Sequence, residues 1–273
     1  MEQTAPRGMP SFGRLFVYAT LAFFAVFYGI PLLWLLLAST RSDASLVSDP
    51  ALWFGGFAQL AETWRDLTTF NDFQLGRWAL NSAIYSVFGV SLSLVACIPA
   101  GYVLAMFRFP GRRAILILTL VTLITPSSAV ALPIFLEMNM LGLNNTYTSL
   151  ILATGFFPFG VYLAYLYFSQ SLPKGIIDSA RVDGCSPVQI FWLMALPLAR
   201  PAVALVAFFS FLANWSNYFL AFVLLSDDEL YNLPVGLAAL VSSSGAISNL
   251  TANDVPIRKP EVILAAVLVI VPV

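Results

Sequence analysis

Six stretches of this chain are apolar, and five of them are long enough to cross a lipid bilayer: 14–38, 78–106, 114–137, 147–170, 198–225 and 261–273. Backbone inside hydrocarbon must satisfy every N–H and C=O internally, so such stretches fold as helices or join closed barrels. A helix needs about 20 apolar residues to span, a barrel strand only about 10, and the first five stretches have helical length. The chain therefore reads as an all-α membrane protein, a six-helix transmembrane bundle over 14–273 behind an N-terminal segment, 1–13. The sixth stretch has only thirteen residues. That covers about 20 Å of a roughly 30 Å core, so the last helix reads as truncated. Composition agrees, with 59% hydrophobic and 10% charged residues, against about 25% charged in soluble domains.

The cations set the orientation. Counted through alternate loops, Arg7, Arg14, Arg108, Arg112, Arg113, Lys174, Arg181 and Arg200 fall on one side, and Arg41, Arg65, Arg77, Arg258 and Lys259 on the other. The richer side, with the shorter loops, is cytoplasmic. This places the N-terminus and the loop 171–201 inside the cell.

That loop is built as two short helices. Pro173 suits a first helical turn, and Ile176, Ile177, Ala180 and Val182 form an apolar stripe. Asp183-Gly184 ends the first helix, because glycine tolerates the left-handed conformation found there. Ser186-Pro187-Val188-Gln189 opens the second as a capping box, and Pro197 and Pro201 close it. Ile190, Phe191 and Trp192 are expected to be exposed, which suits a plug for a soluble partner or an amphipathic hairpin on lipid headgroups.

The run D-S-A-x-x-D-G-C-S-x-x-Q-I-F-W, followed by L-P-L-A-R-P, resembles the EAA loop of binding-protein-dependent ABC importer permeases, in the carbohydrate branch related to the maltose-type permease. The family pattern is E-A-A-x-x-D-G followed by L-P-x-x-x-P. Ala180, Asp183, Gly184, Pro197 and Pro201 match it, while Asp178 and Ser179 stand where Glu and Ala are usual. Further matches are Asn81-Ser82, the run from Pro99-Ala100-Gly101-Tyr102 to Phe107-Arg108-Phe109-Pro110-Gly111, and Leu233-Pro234-Val235-Gly236-Leu237. The resemblance spans 39–237 and implies a type I ABC importer permease of the bacterial or archaeal inner membrane. Its partners would be a second homologous permease, an ATP-binding subunit dimer and an extracytoplasmic solute-binding protein. The loop would then be a coupling element, with Asp178, Ala180, Asp183, Gly184, Ser186, Ile190, Phe191, Trp192 and Pro197 meeting or shaping the contact with the ATPase.

Polar groups inside the spans mark a candidate solute path. Ser210, Asn214, Asn217 and Tyr218 recur at spacings of three and four, so they share a helix face turned into the bundle. That face is either glue between helices or a lining on which Trp215 or Tyr218 stacks against a sugar. The family has W-N-E/D-F here, where this chain has Trp215-Ser216-Asn217-Tyr218. Pro126-Ser127-Ser128 breaks the third span, which is either a lipid-facing kink or a pore lining with Ser127 and Ser128 on it. Between the first two spans, Trp53, Phe54, Phe57, Leu60, Trp64 and Leu67 suggest an interfacial helix or a contact for the external binding protein.

Much chemistry is excluded. The chain has no histidine, the commonest general base and metal ligand, and no G-x-x-x-x-G-K-[ST] phosphate loop. No catalytic or metal-binding residue is expected, and ATP and Mg²⁺ belong on the partner ATPase. The net charge of −1 gives no basis for nucleic-acid binding; lipid is the expected surrounding. The alternative class is an ion-coupled secondary transporter. It would need intramembrane carboxylates or broken-helix ion sites, and the spans are nearly free of acids.

Overall fold

The computed structural model describes residues 11–69, 71, 73–172, 174–243 and 259–270. Among them every regular element is a helix. In chain order these are α1 (Ser11–Ala38), α2 (Asp43–Ser48), α3 (Phe57–Thr69), α4 (Gln74–Met106), α5 (Arg112–Ile124), α6 (Ser127–Met140), α7 (Tyr147–Gly155) and α8 (Pro158–Gln170). There follow α9 (Lys174–Val182), α10 (Pro187–Ile190), a π turn at Phe191–Ala195, α11 (Leu196–Leu198), α12 (Arg200–Trp215) and α13 (Phe219–Leu224). A 3₁₀ turn at Asp228–Leu230, α14 (Leu233–Ser243) and α15 (Lys259–Ile270) complete the chain.

Three segments are long and apolar enough to cross a membrane, Gly13–Ala38, Gln74–Met106 and Tyr147–Gln170, the last interrupted at 156–157 between α7 and α8, and two more are bent pairs. The expected third span is broken at Pro126, where α5 and α6 meet at 110°. The expected fifth span, 198–225, is also not one helix: α12 stops at Trp215, and α13 starts after a three-residue break. The sixth apolar stretch forms α15, whose twelve residues are too few to span alone; residues 271–273 lie outside the described residues. So do residues 1–10 of the expected cytoplasmic segment and Pro173.

The chain forms two compact units. In the first, α15 packs against α1 and α3, burying Leu67 and Thr63 of α3 and Leu264 and Ala265 of α15. Trp53, Phe54, Phe57 and Trp64 stay exposed. The turn after α1 is locked by Arg41, which is fully buried and donates to the carbonyls of Ser45, Asp49, Pro50 and Ala51.

The second unit, within 73–239, is built on α4. Its 33 residues extend about 50 Å and pack against α7, α8 and α12. Close approach is possible because the contacts are small, as in other membrane helix pairs. A Cβ on Gly101 would lie 2.4 Å from the Ala164 Cβ, and one on Gly89 would lie 2.3 Å from Asn214 Oδ1. The backbone interruptions are satisfied by neighbouring side chains. Where α7 gives way to α8, Ser93 Oγ donates to the Gly155 carbonyl at 3.0 Å and Cys97 Sγ to the Phe157 carbonyl at 3.2 Å. Where α12 gives way to α13, Asn232 Nδ2 donates to the Asn217 carbonyl at 2.6 Å.

The turn 226–232 is held to α4 by a run of side chains. Trp78 Nε1 donates to the Asp228 carbonyl (2.8 Å), and Asn81 Nδ2 to the carbonyls of Glu229 and Tyr231 (2.8 and 2.9 Å). Tyr85 donates to Leu230 (2.9 Å), and Ser82 Oγ accepts from the Leu233 N–H (2.8 Å). Asn81-Ser82, which the resemblance singled out, thus holds the 3₁₀ turn and its flanks about 150 residues away in sequence.

Candidate coupling surface and polar interior

The hairpin 171–201 takes its shape from caps. α9 ends in a Schellman arrangement: the Gly184 N–H reaches the Arg181 carbonyl at 3.1 Å and the Cys185 N–H the Ala180 carbonyl at 3.0 Å. Gly184 supplies the φ of +82° that this ending requires. One residue later the capping box closes, with the Gln189 N–H donating to Ser186 Oγ (3.3 Å) and the Ser186 N–H to Gln189 Oε1 (2.8 Å). α10 then widens into the π turn, in which the Leu196 N–H reaches back five residues to Phe191. Pro197 and Pro201 remove two donors around Ala199, and the segment Pro187–Leu198 meets α12 at 75°.

One expectation about exposure is corrected. Ile190 and Phe191 are buried, at 2% and 8% exposure, and so is Ala180; Trp192 alone of the expected trio is outward, at 59%. Ile177, Ala180, Ile190 and Phe191 join a core with Tyr102 and Leu104 of α4 and Ala164 and Phe168 of α8. Tyr102 is the socket: its ring lies 5.0 Å from Phe191, 5.4 Å from Phe168 and 5.9 Å from Phe107. The apolar stripe therefore mounts the hairpin on the ends of α4 and α8.

The free face carries a different set. Val182, Val188 and Leu193 are exposed at 87%, 65% and 70%, beside Trp192. Asp178, Asp183, Gly184 and Ser186 are also exposed, and Asp178 Oδ1 lies 3.3 Å from Arg181 Nη1. Leu193 is not singled out from sequence, and Val182 reads there as part of the apolar stripe, so neither outward position is foreseen. The available signal was their position, each beside a cap or bend and one place out of step with the buried stripe.

The polar face of the fifth span divides. Ser210 and Asn214 are buried and bonded within the bundle: Ser210 Oγ donates to Ser93 Oγ at 3.0 Å, and Asn214 Nδ2 to the Ser210 carbonyl at 2.8 Å. Ser210 thus bridges α12 to α4, while Asn214 bonds within α12 and packs against Gly89 of α4. Trp215 stacks on Phe211 (5.6 Å) and Tyr218 on Phe222 (5.7 Å). Tyr218, Ser127 and Ser128 are exposed and Asn217 half-buried. Among the described residues no group of His, Cys, Asp or Glu could hold a metal ion.

The described residues thus form a set of membrane-length helices with a capped hairpin mounted on the ends of α4 and α8. The chain belongs to the family of binding-protein-dependent transport system inner membrane components, whose pattern it matches over residues 97–273. It is 34% identical over 231 residues to the diacetylchitobiose uptake system permease protein NgcG of Streptomyces coelicolor, covering 83% of this chain and 74% of that one. It is 35% identical over 237 residues to the arabinooligosaccharides transport system permease protein AraQ of Halalkalibacterium halodurans, covering 84% and 80%. Among solved structures it resembles a bacterial ABC transporter involved in import of the acidic polysaccharide alginate, with TM-score 0.77, 25% identity, and 97% and 95% of the two chains covered. The chain is thus a multi-pass inner-membrane permease of an ABC importer that works with other subunits of its transport system. Membership leaves the ion-coupled secondary transporter without support.

Proposed function

We propose that this chain is one of two homologous permease halves of an ATP-driven oligosaccharide importer. Its N-terminus, 1–13, faces the cytoplasm, 14–273 forms the transmembrane permease domain, and the hairpin 171–201 docks on a cytoplasmic ATPase dimer that carries the ATP and Mg²⁺. An extracytoplasmic binding protein delivers the sugar. The observation that carries this reading is the two-sided hairpin, with Ile190 and Phe191 seated under Tyr102 and Val182, Val188, Trp192 and Leu193 turned outward. A partner that closes on ATP would move that face, and the spans would follow as a shift between two packings. Relatives named for diacetylchitobiose and arabinooligosaccharides support a short glycan as solute. Tyr218, Trp215 and Asn217, near the break in the fifth span, with Ser127 and Ser128 at the bend of the third, are the proposed solute contacts.

The test is co-purification of this chain with its partner permease and ATPase, followed by a panel of oligosaccharides and their binding protein in vesicles. Sugar-stimulated ATP hydrolysis that disappears in Trp192→Ala/Leu193→Ala is the expected result. A chain that binds no ATPase yet moves solute on an ion gradient alone would refute the reading.

A further inference from the structure

Beside the hairpin lies a cleft of ≈ 390 Å³ lined by Ala105, Met106, Arg108, Arg112, Ser169, Ile177, Asp178 and Arg181. Three guanidiniums and one carboxylate give it a net charge of +2. Asp178 pairs with Arg181, and among the described residues no carboxylate pairs with Arg108 or Arg112. Arg112 is half-buried, and its Nε donates to the Leu104 carbonyl at 2.6 Å. That bond fixes the side chain while leaving its two terminal amino groups available. A fixed guanidinium loses little freedom on binding and matches phosphate oxygens in a bidentate way. The volume falls within the roughly 300–1,000 Å³ usual for small-ligand sites.

The position narrows the ligand. Ala105 and Met106 are the last residues of α4, Ser169 is the penultimate residue of α8, and Arg112 opens α5. The cleft therefore sits where three membrane helices end, at headgroup depth, and basic pockets at such helix ends are suited to anionic headgroups. We infer that the Arg108–Arg112–Arg181 cleft binds the phosphate of an anionic phospholipid from the leaflet on the hairpin side. The bound phosphate competes with Asp178 for Arg181, so lipid occupancy and the charge on the hairpin's outer face are linked. This rests on the functional reading only for the name of that leaflet.

The full chain is purified in detergent with phosphatidylcholine, with or without phosphatidylglycerol, and retained lipid is counted by native mass spectrometry. Wild type should retain phosphatidylglycerol, and Arg108→Gln/Arg112→Gln should lose affinity about thirtyfold. Arg112→Lys should keep part of it. Arg113→Gln, an exposed neighbour that does not line the cleft, should change nothing. Equal retention in the double variant, or an equal loss in Arg113→Gln, would overturn the site. Inorganic phosphate and glycerol 3-phosphate serve as soluble competitors: if either binds the cleft and phosphatidylglycerol does not, the lipid assignment falls. Thermal unfolding confirms that each variant is folded. Lipid retention is read on the chain itself, so a failure to assemble with an ATPase counts against the proposed function and leaves the lipid result readable.

Discussion

Gly101 and Gly184 answer the same substitution differently. At Gly184 an added Cβ meets nothing within 4 Å, so only the φ of +82° opposes it, at about 1 kcal/mol. At Gly101 the methyl would lie 2.4 Å from the Ala164 Cβ and 2.7 Å from the Tyr165 backbone nitrogen, forcing α4 and α8 apart at about 1–3 kcal/mol. Thermal unfolding in detergent should therefore show the larger drop for Gly101→Ala, with Gly184→Ala the milder change. Asn214→Ala should lower stability by about 1 kcal/mol while leaving the half-saturating sugar concentration of the assembled importer unchanged; a several-fold change there would return Asn214 to the solute path. The spacing of Ser210 and Asn214 made a polar face legible in the sequence. Its purpose was not legible, because that depends on Ser93 and Gly89, more than a hundred residues earlier, standing opposite.

The elements whose signals are local were the readable ones. Gly184, Ser186 and Gln189 cap their own neighbours within a few residues, so the hairpin could be drawn from sequence alone. Which side of it faces inward depends on Tyr102 and Phe168, and no nearby residue reports them. Truncations should separate the two sides. Phe191→Ala should destabilise the subunit by about 3–5 kcal/mol, seen as early thermal unfolding. Trp192→Ala/Leu193→Ala should leave unfolding unchanged and abolish only retention of the ATPase. The broken spans were likewise half legible: prolines announce a break but not what repairs it. Asn232→Ala removes the donor to the Asn217 carbonyl, a loss of about 1–3 kcal/mol. Amide exchange around 216–218 should then accelerate while the middle of α12 stays protected; unchanged exchange would show that Asn232 does not hold the break.

At the scale of the whole molecule, the orientation rests on a modest excess of cations, and the native thiols can check it. Cys185 is half-exposed on the hairpin and Cys97 is buried. A membrane-impermeant maleimide should therefore label inside-out vesicles at Cys185 and leave right-side-out vesicles unlabelled; the reverse pattern would invert the topology. The 75° bend at Ala199 has a consequence for how force travels. Phe191 fixes one arm of the corner to the feet of α4 and α8, and α12 forms the other arm along the same helices. The corner is therefore a bell crank. A sideways push on the short arm would emerge as a tilt of the long one, about a corner flanked by Pro197 and Pro201, neither of which has an N–H to donate.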